Sequence, residues 1–263
     1  MSLSDQLKEQ QIYYNKRATE YDKWWFRQDQ FDQGDYLKQE DSFNKTAIYE
    51  YLAKITSHPC IPQNDDNSKL KLLECASGTG NFTQWFLKEK RFDIRCEEGS
   101  NEMIQVLQGK YHDLISQNQF SIHQTDLFSD SFNPLPDCYD VVFLGFFISH
   151  IPPSLFQSFF EKCRKALKVG GKIIFVESYY TSRYQTKTHE QKVNNVDLDE
   201  KKSDQDYFIK RNLINGESYS IVKIGFTSES IITTFHQNGF VLEKGDTISV
   251  NGSFIYGSFT RNQ

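Results

Sequence analysis

The sequence has no long apolar run, no closely spaced cysteine pair and no gathering of positive charge, and each absence removes a class of function. Nothing in its 263 residues approaches the roughly 20 apolar positions that cross a bilayer, so no membrane partner is expected. The opening MSLSDQLKEQQ is polar from its first residues and lacks the apolar core of a signal peptide. The five cysteines, Cys60, Cys75, Cys96, Cys138 and Cys163, stand far apart, with no C-x-x-C pair and no histidine at ligand spacing, so no metal site is expected. Cys75 and Cys96 fall in or beside apolar strand patterns, where a thiol behaves as a small apolar group, and a reduced, cytoplasmic setting follows. Lysine and arginine number 30 against 35 acids, for a net charge of -5, and the basic residues are scattered. A nucleic-acid partner is thereby disfavoured, because phosphate neutralisation supplies most of the affinity for one. Nothing in the pattern sets an oligomeric state.

What is abundant is aromatic: 15 % of the chain, with 22 Phe and 14 Tyr. Crowding of a core accounts for most of these, and some must line another surface. The chain is organised around LKLLECASGTGNF (70–82), in which an apolar run reaches Glu74, breaks into small residues and meets the helix-periodic Phe82, Trp85, Phe86 and Leu87. Strand, turn and helix follow. Gly78 and Gly80 in the turn let a ligand approach the main chain closely.

Before that turn, residues 5–26 carry an aromatic helical face (Tyr13, Tyr14, Tyr21, Trp24), and residues 42–56 read as a second helix, with an irregular stretch between them. The polar 57–69 is a loop. After the turn come FDIRCEE (92–98) as a strand, a helix begun by SNEMIQVL, then FSIHQTDLF (120–128) and the doubly buried YDVVFLGFF (139–147) as strands. A helix over 153–168, closed by KVGGK, leads to the strand IIFVESYY. This strict alternation predicts a doubly wound, mostly parallel sheet of seven strands with an N-terminal helical lid. The polar 181–206 reads as an insertion after the fifth strand, followed by a hairpin turning at Asn215-Gly216, a helix, and closing strands. One domain is expected, with a lid region (1–56), a ligand-binding core (57–180), an insertion and hairpin (181–225) and a C-terminal helix with strands (226–263).

Three acids, Glu74, Glu98 and Asp126, end successive strands, where an open α/β sheet meets its ligand, and are expected to converge on one molecule. Glu98 follows Glu74 at about the interval, roughly 20 residues, at which such folds place an acid on a ribose. A dinucleotide is excluded: its fingerprint needs Gly or Ala third, where Thr83 stands.

These residues resemble class I S-adenosylmethionine (SAM) dependent methyltransferases. E-C-A-S-G-T-G (74–80) is similar to that family's acid-x-G-x-G-x-G motif with Ala76 for the first glycine, EGSNEM (98–103) to its second motif, and TDLF (125–128) to its adenine-side acid. YDVVFLGFFISHIP and ALKVGGKIIFVES resemble its fourth and fifth strands, and YYNKRATEYDKWW the lid helix of small-molecule members. The resemblance implies SAM as cofactor, with Glu74 and the backbone from Ala76 through Gly78 to Gly80 at the methionine part, Glu98 and Gly99 at the ribose, Asp126 and Leu127 at the adenine, Gly145 at the same crevice, and Tyr14, Arg17 and Tyr21 over it. Ala76 is expected to keep an ordinary negative φ.

Methyl transfer from a sulfonium is an in-line displacement in which alignment and exclusion of water supply most of the catalysis. His150, just past the fourth strand, is the candidate base, and Glu177 a candidate base or steering acid. Tyr13, Trp24, Phe146, Phe147, Tyr179 and Tyr180 are candidates to line an acceptor site, suited to a small apolar or aromatic molecule with an N or O nucleophile. Methylation of a quinone- or polyketide-like carbon, and SAM binding without turnover, are the alternative readings.

Overall fold

The computed structural model describes residues 2–57, 68–116, 120–180, 194–195 and 203–262. The chain opens with helix α1 (Leu3–Trp25), started by Ser2, whose hydroxyl accepts from the Asp5 amide (3.2 Å) in a capping box. Helix α2 (Asp35–Thr56) begins earlier than the expected 42. Its first turns are polar and largely exposed, so they carry no apolar period, and only Gly34, at φ 90°, marks the start.

Strands and helices then alternate as expected: β1 (Leu70–Cys75), α3 (Thr83–Glu89), β2 (Phe92–Glu98), α4 (Asn101–Ser116), β3 (Phe120–Gln124), β4 (Tyr139–Gly145), α5 (Phe156–Ala166) and β5 (Leu167–Ser178). β5 starts at Leu167, well before Ile173, because KVGGK is a bulged continuation of the strand, with Gly170 at φ 77°, and not a helix end. A hairpin of β6 (Phe208–Asn212) and β7 (Ser218–Val222) turns at Asn215-Gly216, as predicted. Helix α6 (Ser228–Gln237) follows, then β8 (Phe240–Val241), β9 (Ile248–Asn251) and β10 (Phe254–Arg261). Most of the predicted insertion at 181–206 lies outside the described residues; of it, Asn194–Asn195 pairs in parallel with Ile224–Gly225.

The sheet runs β8-β10-β5-β4-β1-β2-β3, with β9 added as a further strand against β10. The five strands from β3 to β5 are parallel; β10 runs antiparallel to β5, and β8, antiparallel to β10, runs in the direction of the other five. Alternate residues of the central strands enter two separate cores: Leu73, Val142 and Leu144 pack with Phe159, Phe160 of α5 and Phe235 of α6, whereas Leu72, Val141 and Phe143 pack with Leu52 of α2, Phe86 of α3 and Leu107 of α4. Burial on both faces is why these strands read as near-continuous apolar runs. The order reverses at β1, which has β2 on one side and β4 on the other, so the loops after β1 and β4 diverge and leave a crevice beyond their carboxyl ends.

Helix α1 lies across that crevice. Its Gln10 accepts from the Val222 amide (2.8 Å) and donates to the His150 carbonyl (3.1 Å), and Glu9 accepts from the Ser220 amide (2.7 Å), which satisfies edge groups of β7. Farther along the helix, Asp22 accepts from the Thr79 hydroxyl (2.6 Å) and pairs with Lys110 (2.5 Å). The helix is therefore tied at one end to the hairpin and at the other to the glycine turn. Among the described residues no helix is long and apolar enough to cross a membrane, and no group of three or more His, Cys, Asp and Glu could hold a metal ion.

Candidate active site

Under α1 the crevice encloses about 1100 Å³, large for a single small ligand. Its floor is the set of loops after β1, β2 and β3. Glu98 there is nearly buried and organises main chain: its carboxylate accepts from the Gly78 amide (2.7 Å) and the Ser100 amide (2.8 Å). Burial pushes its pKa up, against the pull of those amides. Gly78 has φ 57°, and the place a Cβ would occupy is open space, so its backbone is presented bare to the crevice. Ala76, Gly99, Ser100, Met103, Thr125, Asp126, Leu127 and Phe128 complete this end.

Ala76 corrects the expectation of a negative φ: it sits at φ 55°. The turn needs a left-handed residue whether or not it is glycine, because the Ala76 amide must reach the Glu97 carbonyl (2.8 Å). Phe146, following β4, is also left-handed (φ 54°). Left-handed non-glycine residues thus stand on both strand ends that flank the reversal of the sheet.

Acids from β2 and β3 come together on the floor, but Glu74 does not join them. Its carboxylate points away beneath the turn, accepting from the Thr83 hydroxyl (2.7 Å) and the Cys96 thiol (3.6 Å), and burial raises its pKa to about 7. Thr83, the residue that rules out a dinucleotide fingerprint, is the partner that keeps Glu74 inside. Gly80 is also off the crevice, against Leu107 and Tyr111.

The other end is walled by side chains. Tyr13, Tyr14, Tyr21, Trp24 and Trp25 of α1 face Gly145, Phe146, Phe147 and His150. Burial holds the Tyr21 phenol up at about 12, so it is a neutral donor at physiological pH. Trp25 meets Phe146 edge-on (5.7 Å), and Phe146 meets Phe254 (5.5 Å). A Cβ on Gly145 would come within 2.7 Å of the Phe82 ring, so this aromatic cluster requires glycine there. His150 Nδ1 lies 2.7 Å from the Val222 carbonyl. A carbonyl only accepts, so Nδ1 carries the proton and Nε2 of the neutral ring is left as an acceptor. Burial, with positive charge nearby, holds the imidazole well below its ordinary pKa.

Glu177, Tyr179 and Tyr180 are not in this wall. Glu177 is buried behind it, accepting from the Ser149 amide (3.0 Å) and the Ser178 amide (2.7 Å) with Lys223 at 3.5 Å. Tyr179 packs on the core and the Tyr180 ring lies on Gly225. β5 reaches the crevice only at Ser178, and the residues on either side of it pack elsewhere. Arg211 and Lys223 line the crevice instead. In the hairpin, Ile209 faces Ile221 and Arg211 faces Tyr219. Strand alternation then puts Ile209, Arg211, Tyr219, Ile221 and, just beyond, Lys223 on one inward face, a parity that the sequence already carried.

Comparison with known proteins agrees with this geometry. Residues 73–173 match the family described as a methyltransferase domain. No curated protein matches the sequence. Among solved structures, the complexes named DhpI-SAH and DhpI-SAM-HEP superpose with TM-scores of 0.66 and 0.64, at 22% and 23% identity, covering 99% and 98% of this chain and 99% of theirs. The magnesium protoporphyrin IX methyltransferase ChlM from Synechocystis PCC 6803, with bound SAH, superposes at 0.60 with 13% identity, covering 96% of this chain and 98% of that one. At such identities the likeness is one of fold, and it extends beyond residues 73–173 to nearly the whole chain.

Proposed function

We propose that the protein transfers a methyl group from SAM to an O or N nucleophile of a small molecule. The observation that carries this reading is a crevice with two unlike ends, at the reversal point of a methyltransferase sheet, roofed by a helix that is hydrogen-bonded at both ends. The floor suits the donor. Bare backbone at Gly78 leaves room for its amino-acid part, Glu98 would accept from the ribose hydroxyls, and Asp126 with Leu127 would flank the adenine. When bound, SAM supplies a methyl carbon on a positively charged sulfur.

The remaining work falls to this chain's own side chains. Trp25, Phe146 and Phe254 exclude water from the junction between the two ends, and Tyr14 and Tyr21 close it from above. His150, neutral with Nε2 free to accept, is the group for holding or taking an acceptor proton. The enclosed crevice favours a small acceptor over a polymer. The test is incubation of the purified protein with methyl-labelled SAM and a panel of small hydroxy, amino and acidic compounds, with SAH and methylated product read by mass spectrometry. Acceptor-dependent SAH supports the reading. Binding of SAH with no turnover on any acceptor would leave a SAM-binding protein, and no binding at all would overturn both.

A further inference from the structure

The roofed end of the crevice draws cations from three separate segments of the chain. Arg17 comes from α1, Arg211 from β6 and Lys223 from just past β7, and all three line the crevice together with His150. Each of the three charges acts on the His150 ring, and Arg17 and Arg211 act also on the phenols of Tyr13 and Tyr14. They are therefore grouped in space, although Arg17 lies far in sequence from the hairpin that supplies Arg211 and Lys223.

Two of these cations are poorly hydrated. The Lys223 side chain is 6% exposed; its ammonium donates to the Ser149 hydroxyl (2.7 Å) and neutralises Glu177 at 3.5 Å. The Arg17 side chain is 13% exposed, with its guanidinium over the rings of Tyr13 (5.7 Å) and Trp24 (5.5 Å). Its ion-pair partner among the described residues is Glu20 at 3.8 Å, beyond hydrogen-bond distance. Three cations lining one end of an enclosed crevice favour a ligand group of opposite charge there. The acids that line the crevice lie elsewhere: Glu98 and Asp126 on the floor, Glu40 and Asp41 on α2, where Asp41 engages Arg27 and Lys45. Of the donor's charged groups only the carboxylate of its amino-acid part is anionic, and the methyl-transfer reading places that part over Gly78 on the floor.

We propose that the acceptor is a small oxyacid whose carboxylate, phosphate or phosphonate group is held by Arg17, Arg211 and Lys223 beside His150. This rests on the methyl-transfer reading and narrows it. Guanidinium groups offer paired N–H donors that match the oxygens of such an anion, and the aromatic walls admit an apolar body attached to it.

The experiment is calorimetric titration of the full chain, saturated with SAH, with benzoate, phenylphosphonate and phenyl phosphate, and with methyl benzoate and diethyl phenylphosphonate as neutral counterparts. At least one anion should bind tenfold or more tightly than its neutral ester, and the arm that binds tightest names the acid. Arg211→Gln should weaken that anion by roughly tenfold or more, as expected for a lost charged hydrogen bond, with SAH affinity within twofold of the parent. Arg211→Lys should restore part of the loss, which a purely structural role would not do. Arg17→Gln, checked for folding by circular dichroism, should likewise weaken the anion. Equal binding of anions and esters, or an Arg211→Gln protein that binds the anion like the parent, would overturn the proposal. Failure to bind SAH in the first titration would instead defeat the methyl-transfer reading.

Discussion

The floor of the crevice is made of main chain and short strand ends, while its roof is made of long side chains. The floor is contributed by residues 76–78, 98–103 and 125–128, which follow three adjacent strands, and a single carboxylate, Glu98, pins two of its amides. The roof is contributed by α1, α2, the loop after β4 and the hairpin, and its polar groups include Arg17, His150, Arg211 and Lys223. A floor of backbone can fit one ligand shape and leaves a recognisable spacing of small residues. A roof of side chains can be refitted to a different acceptor by changing a few residues without disturbing the sheet.

That contrast is open to direct attack. The largest effect is expected at Glu98: Glu98→Ala removes an acceptor from two buried amides and should weaken SAH binding about a hundredfold, measured by calorimetry, with little change in the binding of acceptor anions. Next is His150→Ala, which should lower kcat by about a hundredfold, within the range for loss of an acid–base group, and leave SAH affinity nearly unchanged. Because the folded protein holds this ring well below its ordinary pKa, kcat should show no inflection near pH 6.5 and should fall only at lower pH, where the ring protonates. Equal losses of kcat and SAH affinity in His150→Ala would join the two ends of the crevice and break the comparison.

Smaller effects should appear in stability. Glu74 has its carboxyl raised to about 7 in the folded chain from an ordinary 4.5. Between those values the native state binds the proton more tightly than the unfolded state, so the Glu74 contribution is complete below pH 4.5 and is lost as pH rises through 7. Urea midpoints of the parent, compared with Glu74→Gln, should therefore decline more steeply from pH 5 to pH 8. The smallest change is expected for Ala76→Gly, which relieves a left-handed alanine and should raise stability by about 1 kcal/mol without weakening SAH binding.

The alternation of strands and helices, the hairpin turn and the floor were legible in the sequence, because each rests on local signals: apolar runs, Asn215-Gly216, and small residues after β1. The inward placement of Glu74 was not, since a strand-end acid looks the same whether it meets a ligand or is captured by Thr83 in the next helix. Nor was the beginning of α2, where polar residues on a solvated face carry no period. Glu177, Tyr179 and Tyr180 follow from continuity along β5, whereas the structure buries Glu177 behind the wall and packs Tyr179 on the core and Tyr180 on Gly225. Arg211 and Lys223 went unread because their meaning depends on which hairpin face turns inward, and that is fixed by the docking of Glu9 and Gln10 of α1 on β7.

The account stands or falls on the floor of the crevice binding the methyl donor, and a crystal structure with SAH tests it most directly. The account predicts SAH under α1, its ribose hydroxyls on Glu98, its adenine beside Asp126 and Leu127, and its sulfur directed toward Gly145 and His150. SAH seated elsewhere, or no SAH in a crystal grown at saturating concentration, would contradict it.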